Sequence, residues 1–156
     1  MVSPLIVALL SLLPGFEGRY AILAGIAMGV DPWLTFILAT FGIILLSAVL
    51  PSIINNLEIF AEALLKSSKI LKFYKSYRDK IRARVKRYVD IWGFFGLALF
   101  VTIPLPATGV WTGSIAAHLL GMEKFRAKLA LMLGGVLSNS LVFLSVLLGE
   151  NIIKTL

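Results

Sequence analysis

Glu17 and Arg19 are the only ionisable residues in the otherwise apolar stretch Pro4–Val30. At the centre of a membrane helix each would cost about 2.5–3.5 kcal/mol, so its surroundings must compensate it. Two chemistries fit. The side chains can neutralise each other as a buried pair, or sit at a membrane interface. Alternatively they face a polar cavity, where a desolvated carboxylate takes up a proton. A guanidinium there is a fixed, bidentate partner for phosphate or carboxylate. Pro14 and Gly15 precede the pair and Gly18 lies within it, and such residues break a helix and let backbone amides approach an anion.

A second break, Pro104 to Gly109, carries no charge. Pro104, Pro106 and Gly109 interrupt the helix, while Thr108 and Thr112 offer hydroxyls. Trp111 is expected to face lipid, with a cavity wall as its alternative. Ser138, Asn139 and Ser140 lie in the middle of the last apolar stretch, where small and amide side chains pack helices together. They could equally line the same cavity. On the cavity reading Glu17 is the proton site, and Arg19, Thr108, Thr112 and Asn139 contact the substrate. His118 reads as an interfacial histidine ahead of a proton relay, and Glu150 as solvated.

Other chemistries are poorly provided for. The chain has no cysteine and one histidine, which excludes disulfides and thiolate sites and disfavours a histidine metal cluster or catalytic triad. It contains no P-loop, dinucleotide fingerprint, HExxH or nucleophile elbow. No catalytic residue, cofactor or metal is expected, and the chain does not read as an enzyme.

The elements that must position these residues are apolar. Of 156 residues 59% are hydrophobic and 15% charged, with mean hydropathy +0.95. Soluble domains are about half apolar and a quarter charged. So much apolar surface cannot be hidden in so short a chain, and lipid must be part of its solvent. Trp33 to Ile54 and Leu129 to Gly149 are uncharged, and each is long enough for the ~20 residues of a membrane crossing. The blocks Pro4–Val30 and Trp92–Gly121 are instead cut by the two breaks. Their arms (5–13, 20–28, 93–103 and 110–120) reach about 13–17 Å at 1.5 Å per residue, roughly half the membrane. Two half-depth arms around a break describe a re-entrant hairpin. A proline-kinked spanning helix is the alternative.

Charge separates the two. Residues 56–91 hold ten of the fifteen lysines and arginines, and the connection 123–128 holds three more. A fully crossing third block would put these segments on opposite faces, against the positive-inside rule. A re-entrant one puts both on the cytoplasmic side. The halves also resemble each other: Gly29-Val30-Asp31-Pro32-Trp33 precedes Gly121-Met122-Glu123-Lys124-Phe125 by 92 positions, as Gly42 precedes Gly134. A hairpin plus one crossing is an odd number of crossings, so the second half enters from the opposite face, as in inverted-repeat transporters.

Within the linker Phe60, Leu64, Leu71, Tyr74, Tyr77, Ile81, Val85, Tyr88 and Trp92 recur at helical spacing between the cations. This describes an amphipathic helix suited to the headgroup layer, or one that packs on a partner subunit. The cations concern orientation and anionic lipid before nucleic acid, for which there is no recognised motif. The N-terminus lacks the basic start and small-residue cleavage site of a signal peptide.

The expected architecture is therefore an all-α integral membrane protein in one domain, 1–156. Repeat 1 (1–55) holds hairpin 5–28 and crossing 33–54. Linker 56–91 leads to repeat 2 (92–156), with hairpin 93–120 and crossing 127–149.

Leu-Pro-Gly-Phe-Glu-Gly-Arg-Tyr-Ala-Ile (13–22), then a crossing, a basic linker and Ile-Pro-Leu-Pro-Ala-Thr-Gly-Val-Trp-Thr-Gly (103–113), resembles the small multidrug export protein family. That family is a distant branch of the DedA (SNARE-associated/VTT) superfamily. The resemblance implies opposed re-entrant hairpins, a functional acidic residue matched by Glu17, arginine contacts with Arg19 as the candidate, and proton-linked transport of lipid-like phosphates. This chain departs from the superfamily, whose arginines follow the second hairpin motif, in its neutral second tip, after which only Arg126, at the end of the following loop, is near. The implied function is translocation of an amphipathic, anionic lipid in the cytoplasmic membrane. The alternatives are a multidrug cation exporter and a membrane scaffold built on the linker. Expected partners are membrane lipids, a small amphipathic substrate and optionally further copies of the chain, with no nucleic acid.

Overall fold

Asp31 and Pro32 start the longer of the two uncharged stretches: Asp31 Oδ1 accepts a hydrogen bond from the Leu34 N–H at 2.8 Å, and proline fills the first helical position. The computed structural model describes residues 4–64, 69–105 and 108–155. Those residues form α1 (Pro4–Leu12), α2 (Glu17–Ala27), α3 (Pro32–Leu64), α4 (Lys69–Thr102), α5 (Val110–Leu120) and α6 (Lys124–Thr155), with no strand among them. Within α3 and α6, Pro32–Phe60 and Lys124–Gly149 are long and apolar enough to cross a membrane.

These two long helices pack antiparallel. Near one end Phe36 of α3 stacks on Phe143 of α6, with ring centroids 4.7 Å apart. Further along Asn139 reaches Thr40 at 3.3 Å, and at the far end Asn55 and Glu58 share a cavity with Lys124 and Ala127. Large apolar side chains such as Phe41, Leu45, Leu137 and Leu144 remain exposed on them, as a lipid-facing surface requires.

Each break folds the chain back on itself. A Cβ on Gly25 of α2 would lie 2.9 Å from Val7 of α1 and 2.6 Å from Thr35 of α3. Likewise a Cβ on Gly113 of α5 would lie 2.8 Å from Val101 of α4 and 2.7 Å from Leu131 of α6. Val7, Ile22, Ala39 and Phe143 form the core of the first helix pair, and Leu97, Val101, Val110 and Leu131 that of the second. Gly29 (φ 78°) and Gly121 (φ 74°) follow α2 and α5 in the left-handed conformation that ends a helix. The open ends of the two pairs lie at opposite ends of the α3–α6 frame, and the breaks meet between them.

The boundaries differ from expectation in three places. The first break is Leu13–Phe16, so Glu17, Gly18 and Arg19 already belong to α2. A carboxylate in the first turn is favoured by the helix dipole, and Gly18 is a packing position against Asn139 and Ile43, not a helix break. Second, the linker is not a separate helix. Without glycine or proline in 56–91, α3 continues past Ile54 to Leu64, and α4 runs unbroken through Trp92 to Thr102. Phe60, Phe73, Tyr77 and Trp92 are exposed along these extensions and Ile81 is half-buried. The side chains of Leu64, Leu71, Tyr74, Val85 and Tyr88 lie outside the described residues, as do Pro106 and the side chain of Glu150. Third, α6 starts at Lys124, ahead of the expected 127.

A Cβ on Gly134 would sit 2.5 Å from the Ala98 carbonyl oxygen and 2.9 Å from the Val101 Cβ, where α4 and α6 touch, whereas one on Gly96 meets open space. Gly134→Ala is therefore expected to destabilise the detergent-solubilised protein by about 1–3 kcal/mol, as overpacking does. Gly96→Ala should be neutral or stabilising by up to about 1 kcal/mol, because a helical glycine is lost. Thermal unfolding followed by size-exclusion chromatography checks the opposite signs.

Candidate functional site

Breaking a helix leaves its last carbonyls and the next helix's first amides unpaired, and lipid offers them nothing. The two breaks answer this need for each other. The N-cap of α5 is Gly109, which has no side chain to cap with. Glu17, 92 residues before Gly109, supplies the acceptors: Oε2 accepts from the Val110 N–H and Oε1 from the Trp111 N–H, both at 3.1 Å. A carboxylate at a helix N-terminus also meets the positive end of its dipole. Gly109 is what admits it, since a Cβ there would overlap the Glu17 carboxylate.

Arg19 serves the other side of the same break. Its Nη1 donates towards the Ile103 carbonyl at 3.0 Å, the Leu105 carbonyl at 3.1 Å and Thr108 Oγ1 at 3.2 Å. Its Nη2 lies 3.4 Å from Glu17 Oε2, and both side chains are almost fully buried. The service is returned: Trp111 Nε1–H donates at 3.2 Å to the carbonyl of Leu12, the last residue of α1. Trp111 thus has a polar task at the interface, which its sequence setting as a lipid-facing aromatic did not reveal.

The arrangement is held against strain. Glu17 has φ 51°, and among the described residues it is the one non-glycine with positive φ. Such a conformation costs about 1–3 kcal/mol and persists only where surrounding contacts over-determine it. Here those contacts are two amides and a guanidinium.

Little space is left at the centre. Glu17, Arg19, Val101, Ser138 and Asn139 enclose about 10 Å³, room for a single water and no headgroup. Ser138 Oγ, buried and without a hydrogen-bond partner, borders that space. Asn139 is buried, with Nδ2 donating to Thr40 Oγ1, and Ser140 bonds back to the Val136 carbonyl of its own helix.

Of the expected substrate contacts, Arg19, Thr108 and Asn139 converge here with Glu17. Thr108 joins through its bond to Arg19, outside the cavity lining, and Thr112 does not: it is exposed on α5. Pro14, Gly15 and Pro104 are exposed at the breaks themselves.

A second polar cluster lies at the far end of α5. Glu58 of α3 bonds Arg78 of α4, while His118 Nε2 of α5 lies 2.5 Å from Glu58 Oε2. Burial weakens the Arg78 charge, but the carboxylates of Glu58 and Asp79 outweigh it and hold its pKa above the ordinary arginine value. Arg82 donates to the His118 carbonyl at 2.7 Å and the Leu119 carbonyl at 3.3 Å, closing the C-terminus of α5. Sequence spacing gave no sign of this cluster, because its members are 20 to 60 residues apart on three helices.

The family described as "Putative small multi-drug export protein" matches residues 17–141, well over half of the chain. The chain belongs to that family, and its two long apolar helices suit a membrane protein of an export family. No curated protein and no solved structure matches it.

Because Gly109 exists to admit Glu17, their substitutions should not add. Gly109→Ala and Glu17→Ala are each expected to lower stability, the second by about 1–3 kcal/mol for two orphaned amides. In the double variant the added methyl no longer meets a carboxylate, so a coupling above about 0.5 kcal/mol is expected. Additive thermal shifts in detergent would show that the two positions do not communicate.

Proposed function

We propose that the chain is a proton-linked translocase of the DedA type, which moves an amphipathic, anionic, phosphate-bearing lipid across the cytoplasmic membrane. In this reading α1–α2 and the apolar end of α4 with α5 are re-entrant hairpins of an inverted repeat. They enter from opposite faces, with the basic linker cytoplasmic. Equivalent glycines support the repeat. Gly42 approaches Ser11 of the first pair as Gly134 approaches Ala98 and Val101 of the second, and Gly29 and Gly121 end matching helices.

The observation that carries the proposal is the buried Glu17–Arg19 pair bonded to the broken ends of the opposite hairpin. Protonation of Glu17 would remove the charge that suits the α5 N-terminus and leave one oxygen as a donor instead of an acceptor. The tip would loosen, and Arg19 would lose its only charged contact within the site. A phosphate is a stronger partner for a guanidinium than the neutral carbonyls of Ile103 and Leu105. Proton uptake and headgroup binding would therefore favour the same parted state, which the small central space requires before any substrate can pass.

A second reading follows the family's description: a multidrug cation exporter in which Glu17 binds the cation and Arg19 is structural. Its support is that Arg19 already has three neutral acceptors. Proteoliposomes with labelled anionic lipid and an imposed pH gradient separate the two. Arg19→Ala should abolish lipid movement, and Glu17→Gln should remove a dependence in which transport falls as external pH rises. Retained cation export with no lipid movement in either protein would select the second reading.

Topology is tested with single cysteines, since the native chain has none. Cysteine at residue 124 should label from the cytoplasmic side and at residue 31 from the outside. Labelling of residue 124 only from outside would sink the re-entrant reading.

A further inference from the structure

Apart from the helix breaks, the chain carries an open cavity of about 290 Å³ beside His118. That is far above the 10–15 Å³ or so that admits one water. Its position is informative. Glu58 and Lys124 on its wall lie near the end of one candidate span and at the start of the other, at headgroup depth if both spans cross.

We propose that this cavity binds a phosphate group, presented either as the headgroup of an anionic lipid or as free phosphate. Three elements supply the recognition. From α4 comes Arg82, which lines the cavity while its Nε and Nη2 hold the end of α5. Lys124 adds a second cation at the first turn of α6, whose opening amides have no intrahelical acceptor and sit at the positive end of the helix dipole. The side chain of Asn55 on α3 contributes an amide donor.

Two carboxylates, Glu58 and Glu123, share the cavity wall with these cations. Glu58 is bonded by Arg78 on one oxygen and approached by His118 on the other, so its charge is met inside the protein. Asp79 lies against Arg78, and Glu123 is exposed to solvent. Beyond Arg82 a second opening of about 220 Å³ carries one cation, Lys86, and one carboxylate, Asp90.

The test titrates the full chain in detergent with inorganic phosphate, dioctanoyl phosphatidic acid and dioctanoyl phosphatidylcholine, read by isothermal calorimetry. Saturable binding of phosphate or phosphatidic acid is expected, at least fivefold weaker in Lys124→Gln and unchanged in Lys80→Gln, an exposed cation on α4 outside the cavity. Arg82→Lys keeps the charge but loses the guanidinium fork, and is expected to weaken binding at least threefold without loss of the folded elution peak. Binding of both anionic probes identifies phosphate itself as the ligand, and binding of the lipid alone identifies a headgroup. The proposal is overturned if neither anion saturates, if phosphatidylcholine binds equally, or if Lys80→Gln weakens binding as much as Lys124→Gln. Binding is read without transport, so failure here leaves the translocase reading intact, and the converse also holds.

Discussion

An interrupted helix in an apolar layer exposes backbone groups that must find partners, and here each interruption is the partner of the other. Glu17 closes the amide end of α5, Arg19 binds the carbonyl end of α4, and Trp111 binds the carbonyl end of α1. Neither break could be buried alone without unsatisfied groups, each costing several kcal/mol in hydrocarbon. The remaining architecture follows from this. The pair α1–α2 and the pair of α5 with the apolar end of α4 lie towards opposite ends of the α3–α6 frame so that their breaks meet, and α3 and α6 must be long enough to hold both.

The same bonds keep the centre shut. Charged groups bind these backbone ends more strongly than neutral ones would, and the strained φ of Glu17 shows how firmly the site is determined. On the proposed function, stability and transport share Glu17 and Arg19, and a substitution at either changes both. Activity measurements on such variants need a folding measurement beside them.

Much of this was legible in the sequence, for reasons that can be named. Two uncharged stretches of membrane length, two proline/glycine breaks and one buried charge pair require no tertiary information. The need to compensate Glu17 and Arg19 was equally plain, although the partners were not. Backbone amides of a distant helix carry no sequence signature, so the capping role of Glu17 and the Leu12 bond of Trp111 could not be read. Thr112 stands apart from Glu17 and Arg19 for a local reason. Four residues after Thr108 it would share a helical face with it, but Thr108 precedes α5 and the helical phase begins only at Val110. The Glu58–Arg78–His118 cluster was hidden because charges 20 and 60 residues apart are brought together only by the return of α4 and α5.

The central claim is that the Glu17 carboxylate closes the N-terminus of α5. Amide hydrogen exchange in lipid nanodiscs, followed by mass spectrometry on peptides covering residues 108–116, addresses it directly. The account predicts slow exchange at Val110 and Trp111 in the native chain. In Glu17→Ala those two amides should exchange at least tenfold faster, while peptides around Leu131 remain unchanged. Equal rates at Val110 and Trp111 in the two proteins would contradict it.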